Sequence, residues 1–480
     1  FLYVSPDGLK TNLLKESLPA FDINLIAVDE AHCISQWGYD FRPSYLKIAS
    51  LREELPGIPI LALTASATRE VQEDICEKLL FKDHKIFRQS FLRPNLSYSA
   101  FNVPSKINKI LDVISKVPGT GIVYCKSRKR TREISDLLNM HGIKADFYHA
   151  GLTQEQRNAK QDAWLKNQLQ VIVCTNAFGM GIDKPDVRIV VHTDMPDCLE
   201  NYYQEAGRAG RDGKKSYAVL LYNDEEIDEL RKLVDLRFPP LAEIKKIYGA
   251  IVNYLQVAAG TGGGNYYETD INYCIKQFGL EARAVFPVLK TLEQEDILYF
   301  NEQVFLPSKV QVTATREILF EFEKTNPPAG LLLKTMLRTY EGIIDQPVNI
   351  YEKGIAVNLQ TSVEKVMEGL KQLHAYGVID YSPQKDKPQV YFPRNRIRTE
   401  DLQINTASYK KRKEQFEARV KKIIEYAQAT EQCRSEFIGK YFGDTAIKAC
   451  GICDICLNKK RTPVNKEEFR QIHDNLLQTI

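Results

Sequence analysis

Short apolar runs alternate with helical patterns through the first part of the chain. Residues 23–28 form one apolar run that ends in Asp29-Glu30, and residues 58–63 form another that ends in Thr64-Ala65-Ser66-Ala67-Thr68. A helix-like stretch at 44–54 lies between them. The pattern restarts after Arg93-Pro94-Asn95, with buried-strand runs at 121–125, 171–174 and 187–191, each followed by polar residues. Such alternation predicts parallel α/β sheets. The fold expected is α/β: a partial first domain at 1–95 and a second at 96–223. In both, the polar residues follow the carboxyl ends of strands, where open α/β sheets bind ligands.

After Asp224 helical patterns dominate, and the glycine-rich run at 260–265 reads as a flexible break. Two later segments look alike. Residues 270–307 and 354–393 each read as helix, turn, helix and then a β-hairpin, the winged-helix plan; a generic α+β linker reads as well. The predicted divisions are 224–320 for linker helices and a first winged-helix-like unit, 321–400 for a second, and 401–480 for a C-terminal module. Residues 407–429 form an amphipathic helix. Lys410, Lys411, Arg412, Lys413, Arg419, Lys421 and Lys422 make its basic side, and Phe416, Val420, Ile423, Ile424 and Ala427 its apolar side.

Composition adds limits. The 480 residues are 44% hydrophobic and carry a formal charge of +3, which excludes wholesale disorder and gives no bulk basicity. No apolar run approaches the ~18–20 residues of a membrane helix, so a soluble cytoplasmic protein with no membrane partner is expected, nucleoid-associated if bacterial. Six of the ten cysteines are scattered and read as buried thiols. Cys433, Cys450, Cys453 and Cys456 follow C-x16-C-x2-C-x2-C, a spacing that suits four-thiolate structural Zn²⁺, with an iron–sulfur cluster as the rival.

Three segments carry candidate chemistry. An acidic pair at a strand end, Asp29-Glu30 with His32, suits Mg²⁺ binding and water activation at a phosphate. The next residues, Gln36, Trp37, Phe41 and Arg42, put aromatic and guanidinium planes in a Gly/Pro-bounded loop, as stacking on unpaired bases requires. In QEAGRAGRDG (204–213), Arg208 and Arg211 are three apart among small residues, which lets a turn approach a phosphate closely.

The DEAH tetrad, SQWGYDFRPSY, LTASAT and QEAGRAGRDG, in this order, resemble the RecQ family of DNA helicases. YVSPD, FLRPNLSY (91–98), YCKSR (124–128), FYHAGL (147–152) and CTNAFGMGIDKPDVR (174–188) extend the resemblance. It implies two RecA-like motor domains, ATP and Mg²⁺ as cofactors, single-stranded and forked DNA as partners, and 3′-to-5′ unwinding in repair or recombination. It implies Asp29, Glu30 and His32 as catalytic, with Arg208 and Arg211 as arginine-finger candidates. Gln204, Gly181 and Asp183 fall on nucleotide-facing positions. Gln36, Trp37, Phe41, Arg42, Thr64, Ser66, Thr68, Thr175 and Phe178 fall on positions at or coupled to DNA, with Gly179 in the same loop. The resemblance also favours zinc at the four cysteines.

Two departures stand out. Tyr39 replaces a histidine common in the family, and about two hundred residues separate the motor from the cysteines. No G-x-x-x-x-G-K-[ST] loop occurs in the 480 residues, and the chain opens on Phe1. The expectation is a helicase lacking its N-terminal portion, and so a fragment without ATPase of its own. A nucleotide-independent DNA-binding scaffold and a zinc-dependent transcription regulator remain open.

Overall fold

The computed structural model describes residues 1–6, 8–10, 17–35, 38, 41–179, 182–301, 308–383 and 388–460. The chain divides into two compact units. The first comprises Phe1–Asp235 and the chain from Asn405 onward; the second, Leu236–Ile404, is inserted between them.

In the first unit, β1 (Ile26–Val28) and β2 (Ile60–Ala62) pair in parallel, Ile26 opposite Ile60. Val28, Ile34, Ile48, Val71, Ile75 and Leu79 close a small core on them. Six further strands follow: β3 (Leu96–Asn102), β4 (Thr120–Tyr124), β5 (Ala145–Tyr148), β6 (Val171–Cys174), β7 (Val187–His192) and β8 (Ser216–Tyr222). They form one parallel sheet in the order β3-β8-β7-β4-β6-β5. β4 and β6 are buried along their whole length, because helices cover both faces of a parallel sheet. The α/β class expected for this region is the one observed.

The helix Thr406–Gln428 is capped by the Asn405 side chain, which accepts from the Ser408 amide. Its predicted apolar side is buried. Its predicted basic side is not uniform. Arg412 is buried and Arg419 is half-buried, so these two turn inward while Lys410, Lys411, Lys421 and Lys422 stay exposed. No helix of the described residues is long and apolar enough to cross a membrane.

The second unit holds β9 (Tyr266–Glu268), β10 (Tyr299–Asn301), β11 (Lys309–Val312), β12 (Val348–Asn349), β13 (Ile379–Ser382) and β14 (Gln389–Tyr391). They build two antiparallel sheets, β10-β14-β9 and β12-β11-β13. The helices Ile271–Phe278 and Ala282–Gln294 precede β10, and Glu352–Asn358 and Val363–Ala375 precede β13.

Each helix pair is followed by an antiparallel strand, but the two modules are nested and not consecutive. β14, expected to return against residues 378–381, pairs with β10 and β9 instead, Val390 opposite Phe300 and Tyr267. The module at 308–383 is inserted between the two wing strands of the outer one, and has its own core of Val310, Leu333, Met336, Ile355, Leu370 and Leu373. The glycine run is no free linker either. Gly260 and Gly264 donate to the carbonyls of Arg396 and Phe392, and the Gly263 amide bonds Asn395 Oδ1, so this run is tied to the chain leaving β14. The first predicted wing took in residues 302–307 and the second residues 384–387, and both stretches lie outside the described residues.

Candidate functional site

β1 stops at Val28 because the chain turns: Glu30 takes a left-handed conformation (φ 48°), and its amide donates to Asp29 Oδ1 at 2.9 Å. Asp29 is exposed and Glu30 half-buried, so both carboxylates are open to solvent at the strand end. A single helical turn, Ala31–Ile34, then buries His32. Nδ1 of His32 lies 3.2 Å from Glu30 Oε2 and 3.1 Å from Thr64 Oγ1; protonated at that nitrogen, the ring can donate to either. Thr64 Oγ1 in turn accepts from the Ser66 amide at 3.4 Å. Ser66 Oγ accepts from Gln204 Nε2 at 2.9 Å. A chain of polar contacts thus runs from the acidic pair, through the loop after β2, to the helix Leu199–Ala206 on the six-stranded half.

That helix leads into the arginine segment. Gly210 has φ +66°, and a Cβ there would meet Asn95 Nδ2 at 2.6 Å and Ser216 Oγ at 2.8 Å, so only glycine fits. The carbonyls of the segment are held from one side: Arg93 Nη2 donates to Ala209 and Gly210, and Asn95 Nδ2 to Gly210 and Lys214. Sequence reasoning quoted Arg93 and Asn95 within FLRPNLSY without giving them a role. Their carbonyl partners are invisible from spacing alone. At the far end, Arg188 Nη2 binds Asp212 Oδ2 at 2.6 Å and pulls that carboxyl below its usual range.

Arg208 is buried, with Nη1 3.5 Å from the Ile182 carbonyl, and its Nε has no hydrogen-bond partner among the described residues. Arg211 is more exposed and pairs with Asp183 Oδ1 at 2.7 Å. The structure thus joins Asp183 to Arg211 and Gln204 to Ser66. Gly181 lies outside the described residues, while a Cβ at Gly179 would stand 2.7 Å from the Asn176 carbonyl and 3.9 Å from Arg208 Nη2.

Several positions that the resemblance puts at or coupled to DNA are buried. The ring of Phe178 is fully buried between Tyr148 (4.8 Å, edge-on) and Trp164 (5.3 Å, edge-on), and its carbonyl accepts from Tyr124 Oη at 2.9 Å. The Phe178 ring serves the core, and anchors there the loop that the resemblance places between DNA and nucleotide. Phe41 is buried too, and Arg42 is half-buried. Gln36, Trp37 and Tyr39 lie outside the described residues. Thr64 is exposed, Ser66 is buried, and Thr68 sits as the N-cap of the helix Arg69–Lys78. Thr175 is buried, and its Oγ1 accepts from the Ala177 amide, shaping the turn after β6.

The four clustered cysteines meet. Their sulfurs lie within 4.8 Å of one another, with Cys433 to Cys450 at 3.5 Å and Cys433 to Cys453 at 3.9 Å. Tetrahedral zinc with Zn–S near ~2.3 Å places sulfurs roughly 3.8 Å apart. Backbone amides of Cys450, Cys453 and Cys456 donate to the sulfurs of Cys433, Cys450 and Cys453, which favours thiolates. Hydrogen bonds from Cys433 and Cys453 hold the Cys450 thiol well below its usual range. The donor set fits a closed structural Zn²⁺ site held by Cys433, Cys450, Cys453 and Cys456. The zinc loop is fixed to the edge strand of the six-stranded sheet: Asp454 accepts from Arg434 at 2.8 Å and from the Ala100 amide at 3.0 Å, and Ser97 Oγ donates to the Ile452 carbonyl at 2.7 Å.

Comparison with known proteins agrees with this layout. Residues 105–213 match the helicase conserved C-terminal domain, 310–383 the RecQ helicase winged-helix domain of Bacteroidota, and 393–457 the RecQ zinc-binding domain. The second match is the inner, inserted module. The chain is 40% identical over 251 residues to a probable ATP-dependent DNA helicase RecS of Bacillus subtilis, covering 52% of this chain and 51% of that protein. It is 44% identical over 247 residues to the RecQ-like DNA helicase blm-1 of Caenorhabditis elegans, covering 49% and 25%. The matched part of the chain therefore spans about half the length of the first relative and a quarter of the second. Among solved structures, Mycobacterium smegmatis helicase Lhr bound to ssDNA and AMP-PNP aligns at 18% identity with a TM-score of 0.37, over 57% of this chain and 37% of that one. With the parallel sheet and the four-cysteine cluster, the chain is similar to RecQ helicases in a winged-helix segment and a zinc-binding segment that follow one another in chain order.

Proposed function

We propose that this chain works as part of an ATP-dependent 3′-to-5′ DNA helicase that acts on single-stranded and forked DNA in repair or recombination. The observation that supports this best is the run of contacts Glu30–His32–Thr64–Ser66–Gln204, which ties an acidic pair at one sheet to the arginine-bearing helix of another. A nucleotide hydrolase that turns hydrolysis into motion needs such a link between its carboxylates and its arginines. A passive DNA-binding scaffold or a transcription regulator has no use for one.

In this reading Asp29 and Glu30, both solvent-accessible, would hold Mg²⁺ and orient water, and the ion would supply positive charge at the phosphate when bound. Arg211, held by Asp183 and partly exposed, exchanges that partner for the γ-phosphate. Arg208, buried with Nε unspent, braces the loop at Gly179 and Ile182. The 480 residues contain no phosphate-cradling G-x-x-x-x-G-K-[ST] loop, so hydrolysis is a property proposed for the whole protein.

The test is Arg211→Ala in the whole protein. Unwinding should fall by about 10³-fold or more, with DNA affinity within about threefold. Unwinding that survives would overturn the role given to Arg211.

A further inference from the structure

The helix Leu199–Ala206 is only eight residues long, yet it delivers Gln204 to Ser66 and leads directly into Arg208 and Arg211. Its other faces are gripped by the cysteine-bearing module. The Tyr441 hydroxyl donates to Glu200 Oε1 at 2.7 Å. The hydroxyls of Tyr426 and Tyr202 lie 3.2 Å apart, their rings 5.1 Å apart. Phe442 stacks on Phe91 (4.7 Å, 9°), and both rings pack against Tyr203. Asp444 Oδ2 accepts from Ser90 Oγ and the Phe91 amide, closing this grip from the other end.

Glu200 is the informative residue. Its side chain is buried, and its second oxygen has no hydrogen-bond partner among the described residues. A carboxylate half satisfied in the interior is poor design for stability alone, since an apolar side chain there would serve packing better. Burial and the neighbouring Glu200 carboxylate push the Tyr441 hydroxyl well above its usual range, so it stays a donor at every physiological pH.

We propose that Glu200 and Tyr441 are positioning residues: their hydrogen bond makes the cysteine-bearing module the support that sets the angle of the Gln204–Arg211 segment for nucleotide hydrolysis. This rests on the helicase reading above. The module then acts on the motor's chemistry from behind and is more than a stabilising cap. The eight-residue helix lacks the length to hold its direction without external contacts.

The test separates mechanics from chemistry. In the 480-residue chain carrying Tyr441→Phe, amide hydrogen exchange across residues 202–211 should accelerate about tenfold, while β4 and β6 amides keep their rates. Glu200→Gln as a single variant retains an acceptor for the Tyr441 hydroxyl and should keep near-native exchange. In the whole protein, Tyr441→Phe should lower kcat for ATP about tenfold with KM within twofold, whereas Glu200→Gln alone, with Tyr441 intact, should keep most of the parent kcat. Unchanged exchange at 202–211, or equal acceleration at β4 and β6, would overturn the positioning role. Local acceleration with unchanged kcat would leave the mechanical support standing and sink the helicase role of the segment.

Discussion

The six-stranded half and the inserted unit are built by opposite means. In the first, sheet neighbours are joined by βα crossovers, and a C-terminal module fixes the edge strand through Asp454 and Ser97 and grips the helix Leu199–Ala206 through the Tyr202–Tyr426 contact. In the second, one helix–turn–helix module sits between the two wing strands of another, and β10 finds β14 across roughly ninety residues. The comparison teaches where tertiary dependence lies. The six-stranded half depends on a segment over two hundred residues away, whereas the inner inserted module carries its own core and is a candidate for independent folding.

Removing one zinc ligand should separate the two regions most sharply. Cys453→Ser should abolish stoichiometric zinc and destabilise the module and its sheet edge by on the order of 5 kcal/mol or more. Metal analysis and exchange of β3 amides would read it, and the inserted unit's amides should not move. Acceleration in both regions would erase the distinction.

A smaller effect is expected from replacing residues 308–383 with a short Gly/Ser linker. Shortening a surface insertion changes loop closure little, so the remaining chain should unfold within about 1 kcal/mol of the original. Loss of protection at Tyr266–Glu268 and Gln389–Tyr391 would show that the inner module supports the outer wing, contrary to the nested reading.

The smallest effect concerns Asp212, whose carboxyl Arg188 draws down. Its folded-state pKa is depressed, so its contribution is present above the unfolded value and is lost as pH falls through the folded one. An NMR titration should give a midpoint under the ordinary 3.8, returning toward it in Arg188→Ala. A midpoint at or above 3.8 in the parent would break the clamp assigned to this end of the arginine segment.

The same contrast decides what could be read in advance. Fully apolar runs such as residues 121–124 and 171–174 announce buried parallel strands, and the cysteine spacing announces its own cluster, because both signals are local. The nested wings were not legible, since each wing strand looks complete beside its sequence neighbour and only β14's pairing shows otherwise. At the site, His32 and Gln204 were recognisable from their motifs, but their partners were not. The burial of Phe178 and Phe41 was not legible, because an aromatic beside a functional loop has the same sequence signature whether it faces a base or the core.

The central claim is that the acidic pair and the arginine segment work as one machine through Ser66 and Gln204. The direct measurement is strand separation per ATP hydrolysed in the whole protein carrying Gln204→Ala. Loss of that single hydrogen bond should cut base pairs opened per ATP about tenfold while DNA-free hydrolysis stays within twofold. An unchanged ratio of unwinding to hydrolysis would contradict the account.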